Sequence, residues 1–225
     1  TEGPNLIIAG AGTGKTKVLT TRVAHIIDNN LAFPSQILCV TFTNKAAREM
    51  SERVQKLVSQ NMEKMPWMGT FHSIGAKIIR NHAEVIGLKQ SFTILDKDDQ
   101  LSLIKQIIKA ENLDQSQFSP KLIQSKIDHW KNKALNPNDI KSESLDNLVD
   151  EKSLSIYKIY QARLFEINCL DFGDLLLQCI NLFKVTDIHK RYSNNFKYIH
   201  VDEYQDTNAA QYKWLKLLGS HHQNV

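Results

Sequence analysis

Over residues 1–90 the hydrophobic positions alternate between short continuous runs and helical stripes. "NLIIAG" is an apolar run rich in β-branched residues and predicts a strand. "KTKVLTTRVAHIID" follows with Val18, Val23, Ile26 and Ile27 at helical spacing. "ILCVTFT" predicts a second strand, "NKAAREMSERVQKLVSQ" a helix burying Ala47, Met50, Val54 and Leu57, and "WMGTF" a short third strand. Strand and helix in alternation imply a parallel sheet. From about Ser91 that rhythm stops. Residues 91–195 read as successive amphipathic helices with clear starts, Asp96 before "KDDQLSLIKQII" and Ser119-Pro120 before "KLIQSKIDHW". "KYIHVDEYQD" then returns to an apolar strand at Tyr198 that ends in two carboxylates. The expected class is α/β, a parallel sheet flanked by helices (residues 1–90 and 196–225) interrupted by an all-helical subdomain (91–195).

Composition narrows the setting. A chain of 225 residues, 42% hydrophobic and 23% charged, can bury a large core. No signal-peptide pattern is visible, and no apolar run approaches the ~20 residues of a membrane helix. A cytoplasmic protein without membrane contact is expected. Cys39, Cys169 and Cys179 form no C-x-x-C and sit in apolar or helical stretches, which reads as buried reduced thiols. The net charge of +4 is uneven: eleven Lys/Arg face six Asp/Glu in residues 1–90, fourteen face fifteen in 91–195, and three face three thereafter. Such an excess suits a surface that handles phosphates, and equally a solvated face.

The excess surrounds "AGAGTGKT", residues 9–16. The phosphate-loop pattern is G-x-x-x-x-G-K-[ST]: glycines let backbone N–H groups close on phosphate oxygens, Lys meets the β/γ-phosphates and the hydroxyl meets Mg²⁺. Gly14, Lys15 and Thr16 supply its end. Ala9 replaces the first glycine at the turn leaving the strand, while Gly10 and Gly12 keep the loop open around Ala11 and Thr13. A dinucleotide G-x-G-x-x-G is absent, because its third glycine would fall on Lys15 or Lys17. The partner feature is a carboxylate at the end of a buried strand. Asp202 suits Mg²⁺ and Glu203 suits the attacking water; without a glycine loop the pair would read as an ordinary surface dipeptide. His200 within the strand reads as a satisfied core histidine rather than a ligand.

Lys15 and Asp202 lie 187 residues apart, more than a compact nucleotide kinase needs. "AGAGTGKT", "TFTNKAAREM", "GTFHS", "LDFGDLLL" and "VDEYQDTNAAQY" together resemble, in order, the motifs of superfamily 1 DNA helicases of the UvrD, PcrA and Rep type. The "DTNAAQY" continuation favours that branch over the recombination helicase-nucleases. The resemblance implies a P-loop NTPase of RecA-like fold: the first of two motor domains in an ATP-driven 3′-to-5′ translocase on single-stranded DNA, serving repair or replication. ATP and Mg²⁺ are the implied cofactors, with Ala9, Gly10, Ala11, Gly12, Thr13, Gly14, Lys15, Thr16 and Lys17 at the nucleotide. Thr16 and Asp202 hold the metal, and Lys15, Asp202 and Glu203 carry catalysis.

In "TFTN", Thr41, Thr43 and Asn44 offer polar groups to DNA. Phe42 either offers a ring face to a base, a contact of about 1–3 kcal/mol, or is ordinary core. In "GTFHS", Thr70 and His72 are placed to touch the DNA backbone, with Phe71 packed inside. In "LDFGDLLL" Asp171 reads as a helix cap over buried Leu175 and Leu176. Lys17 stands where the family has an Arg that stacks on adenine, and Lys is the poorer planar stacker. The expected reading is a fragment whose partner is the C-terminal motor domain of the same protein, which supplies arginines to the ATP site. Two alternatives stay open: a P-loop nucleic-acid-binding module without turnover, and a small-molecule P-loop kinase, for which residues 91–195 with only Arg163 and Arg191 offer no evident lid.

Overall fold

The computed structural model describes residues 2–10, 12–58, 65–141, 145 and 147–225. These form two compact units, one of Thr1–Ile74, Phe183–Thr207 and Trp214–Val225, the other of Gly75–Leu182 and Asn208–Lys213. The divisions fall at 75 and 182 rather than at 91 and 195. The first lies inside a helix, where neither composition nor periodicity changes.

The first unit is built on three parallel strands, β1 (Ile37–Thr41), β2 (Met68–Thr70) and β5 (Tyr198–Val201), in the order β2-β1-β5. β1 is central and all five of its residues are buried, which explains its uninterrupted apolar run. Ile37 and Cys39 face a core shared with Val23 and Ile26 of α1 (Lys15–Asp28), Met50 and Val54 of α2 (Asn44–Leu57), and Tyr198. α2 starts where Thr43 Oγ1 accepts the Ala46 N–H, an N-cap worth about 1 kcal/mol. Ala47, Met50 and Val54 are buried as their spacing requires. Leu57, in the last helical position, is 46% exposed, and the next residue, Val58, turns inward in its place. Val18 likewise faces outward.

The segment "NLIIAG" does not form a strand. Asn5 donates its N–H to the Val225 carbonyl at 2.8 Å, but among the described residues no strand pairs with positions 6–10. Leu6, Ile7 and Ile8 are 72, 48 and 88% exposed. β propensity marks a segment suited to a sheet, and the ladder forms only where a neighbouring edge is in register.

The second unit packs α4 (Lys97–Ala110), α5 (Pro120–Asn132), α6 (Leu148–Glu166) and α7 (Phe172–Leu182). Ile104, Ile108, Ile123, Ile127, Ile156, Tyr157, Tyr160 and Leu164 make its core. Asp96 caps α4 by accepting the N–H groups of Asp98 and Asp99. The region is not all-helical: β3 (Thr93–Leu95) and β4 (Cys169–Asp171) form a parallel pair in register Thr93 with Cys169. α3 (Phe71–Asn81) and α9 (Ala209–Leu218) each run from one unit into the other, and α8 (Thr186–Asn195) belongs to the first.

Candidate nucleotide and nucleic-acid site

The loop before α1 is shaped by its glycines. Gly12 and Gly14 have φ of 75° and 95°, a left-handed backbone that strains any residue with a Cβ. Thr13 Oγ1 donates to the Gly10 carbonyl at 2.7 Å and closes the turn. α1 then opens at Lys15 with Gly14 as N-cap, so its first N–H groups and its dipole favour an anion there. Thr16 and Lys17 occupy the first turn; Lys17 is exposed. Ala11 lies outside the described residues.

Lys15 ties the loop to the far end of the sequence. Its Nζ donates to the Ala9 carbonyl at 3.3 Å and stands 3.7 Å from Glu203 Oε2. Glu203 follows β5 with φ 51° and ψ 48°, a strained setting for a non-glycine residue and one of the places where function is to be sought. Its Oε2 also accepts from Gln205 Nε2 at 2.5 Å. Asp202 continues the β1–β5 ladder through its N–H to the Val40 carbonyl. Burial and the adjacent Glu203 charge push the Asp202 carboxyl above the usual range, against the pull of Lys15 and Arg53. A group in that position gains from a cation beside it.

His200 is 5% exposed and its Nε2 has no hydrogen-bond partner among the described residues, so it is core but not satisfied. Burial, with the Arg22 charge nearby, drives it down to about 3 and keeps it neutral.

The expected DNA-facing residues separate. Thr41 is fully buried and its hydroxyl donates to the Thr43 carbonyl, so it is turned away from solvent by the pleat of a strand covered on both faces. Thr70 is 8% exposed, and its Oγ1 accepts the Ser73 N–H at the head of α3. Both hydroxyls hold the backbone rather than face outward. Thr43 is exposed, though its Oγ1 serves the α2 cap, and Asn44 is exposed beside it. Phe42 is 37% exposed and meets the buried Phe71 edge-on at 5.5 Å. Burial lowers the His72 imidazole below its ordinary range.

Two arrangements escaped the sequence reading. In "LDFGD", Asp171 Oδ1 accepts the Asp174 N–H, the cap expected from the sequence. Both carboxylates also converge on the buried ammonium of Lys131, at 2.7 and 2.9 Å. A helical stripe of alternating polar residues gives no sign that one lysine is internal. In "DTNAAQY", Asn208 and Gln211 exchange reciprocal bonds, Gln211 N–H to Asn208 Oδ1 and Asn208 N–H to Gln211 Oε1, and so cap α9. The spacing N-x-x-Q is the signal that would have found it.

No group of three or more His, Cys, Asp or Glu able to hold a metal occurs among the described residues. Nor is any described helix long and apolar enough to cross a membrane.

Against this geometry, known proteins give a consistent match. The model of the UvrD/REP helicase N-terminal domain matches residues 1–225. The protein named ATP-dependent DNA helicase PcrA from Staphylococcus aureus (strain NCTC 8325 / PS 47) is 48% identical over the whole chain, which covers 31% of that relative. The protein of the same name from Staphylococcus epidermidis (strain ATCC 12228 / FDA PCI 1200) is 46% identical over the same span. The chain thus spans about a third of the length of these curated relatives. It belongs to the UvrD/REP helicase N-terminal domain family.

Proposed function

We propose that this chain is the ATP- and Mg²⁺-binding first motor domain, of P-loop RecA-like fold and with a mainly helical insertion, of an ATP-dependent 3′-to-5′ DNA helicase in repair or replication. The observation that carries the reading is the approach of Lys15 to Glu203, which brings a glycine-loop lysine and a strand-end carboxylate to 3.7 Å. The relatives' name, ATP-dependent DNA helicase, supports it.

The residues fit a nucleotide and its metal. Left-handed glycines and the α1 N-terminus would present N–H groups to phosphate, and Lys15, which meets the Ala9 carbonyl and Glu203, would supply its ammonium to the phosphate oxygens. Thr16 and Asp202 would hold Mg²⁺, which neutralises charge on the β/γ-oxygens when bound. Glu203, released from Lys15, orients the attacking water and accepts its hydrogen bond. Thr43, Asn44, Phe42 and His72 remain as the DNA-facing set. By itself the chain acts as a binding module. Its hydrolysis stays near background, because phosphoryl transfer depends on further positive charge by ~10³ or more in rate.

Isothermal titration with Mg-ADP tests the loop. Binding is expected for the parent and lost in Lys15→Ala; equal binding by both would remove the assignment.

A further inference from the structure

Two segments singled out in the sequence, and the helix that continues a third, each place one ring in the same file. Phe42 follows β1, Phe71 opens α3 after β2, and Trp214 lies in α9 beyond the acidic strand end. Phe42 and Phe71 have centroids 5.5 Å apart with planes at 60°; Phe71 and Trp214 are 5.8 Å apart at 63°. Exposure falls from 37% through 1% to 0%. Both contacts are edge-on, the geometry favoured by ring quadrupoles.

We infer that Phe71 and Trp214 are positioning residues for Phe42, a backing that holds its ring ready to stack on a base of single-stranded DNA. This rests on the proposed DNA-binding role. A lone exposed phenylalanine would lose rotamer freedom on stacking, whereas a ring already held on its inner side has less to lose. The inner end of the file is fixed by shape. The Trp214 Nε1–H has no hydrogen-bond partner among the described residues, so nothing but packing sets that indole's position. A shift of Phe42 against a base is therefore passed through Phe71 to an indole with no polar tether. The ligand class is set by the outer end: an apolar ring beside the exposed Thr43 and Asn44 at the N-terminus of α2 suits an aromatic base joined to a phosphate.

The test uses this chain labelled with 5-fluorotryptophan, whose three tryptophans are Trp67, Trp130 and Trp214. A labelled oligo-dT strand is titrated by fluorescence anisotropy and the ¹⁹F spectrum recorded at saturation. The Trp214 resonance is expected to move and that of Trp130, stacked on Tyr157, to stay. Phe71→Leu should weaken binding about tenfold, within what one base–ring stack contributes. It should do so equally at every salt concentration, since stacking releases no counterions. A Trp214 resonance unmoved at saturation, or Phe71→Leu binding like the parent, overturns the inference and leaves the DNA-binding role standing. Absence of oligonucleotide binding by the parent overturns that role, and the inference with it.

Discussion

Lys131 has no exposed side-chain surface, and an ammonium so placed is tolerable only when charge and hydrogen bonds answer it. Asp171 and Asp174 supply the charge. Tyr160 and Gln100 add donors to Asp171 Oδ2, and Gln161 donates to Asp174 Oδ1. One cation serves two carboxylates, so they divide. Burial pushes Asp171 up, but the Lys131 charge and hydrogen bond, together with the Asp174 N–H and the Tyr160 hydroxyl, hold it below the carboxylate range. Burial and the Asp171 charge push Asp174 up to about 6. Asp174 thus binds its proton more tightly in the folded chain than in the unfolded one. Its contribution is fully present below the ordinary value of 3.8 and is lost as pH rises through about 6. The parent should therefore gain thermal stability on Asp174→Asn as pH is lowered from 7 towards 4. A difference in melting temperature that is flat across that range would refute the division. Gly173 lets this cluster close, since a Cβ there would stand 2.8 Å from Lys131 Cδ and 3.0 Å from its Cβ. With that side chain pinned at its far end, Gly173→Ala should cost about 1–3 kcal/mol in urea denaturation.

Among the elements, caps decide where helices begin. The reciprocal Asn208–Gln211 bonds start α9, and Asn208 Nδ2 also donates to Asn132 Oδ1 at 3.0 Å. Asn208→Ala should lower stability by about 1 kcal/mol or somewhat more, read by the same denaturation. A loss below a few tenths would mean that packing alone starts this helix. Legibility obeyed the same physics. β1, α2 and α4 were readable from their apolar runs or stripes and local caps, and the shorter β2 and β5 from their place in the strand–helix alternation. β3 and β4 were not: each has three residues, and the pairing of Thr93 with Cys169 joins positions remote in sequence. The glycine loop and the acidic strand end were legible as patterns, but their meeting through Lys15 and Glu203 is a property of the fold. The inward turn of Thr41 was hidden because β1 is covered on both faces, leaving no alternation from which to read a side.

At the scale of the whole molecule, the basic excess in residues 1–90 belongs mostly to the first unit, the unit that also holds the loop, the acidic strand end and the ring file. Weak binding of single-stranded DNA should then fall with salt along a shallow line, roughly −0.7 per phosphate neutralised. A salt-independent affinity would deny that phosphates are bound. The exposed strip of Leu6, Ile7 and Ile8 carries a different consequence. Exposed apolar side chains on a segment that pairs with no strand make an adhesive patch, able to recruit a like patch from another molecule. The isolated chain should accordingly show attractive colloidal behaviour, its scattered intensity per unit mass climbing with concentration. Ile8→Lys, at the most exposed of the three positions, should flatten that climb and leave the melting temperature where it was. An unchanged climb would place the stickiness elsewhere on the surface.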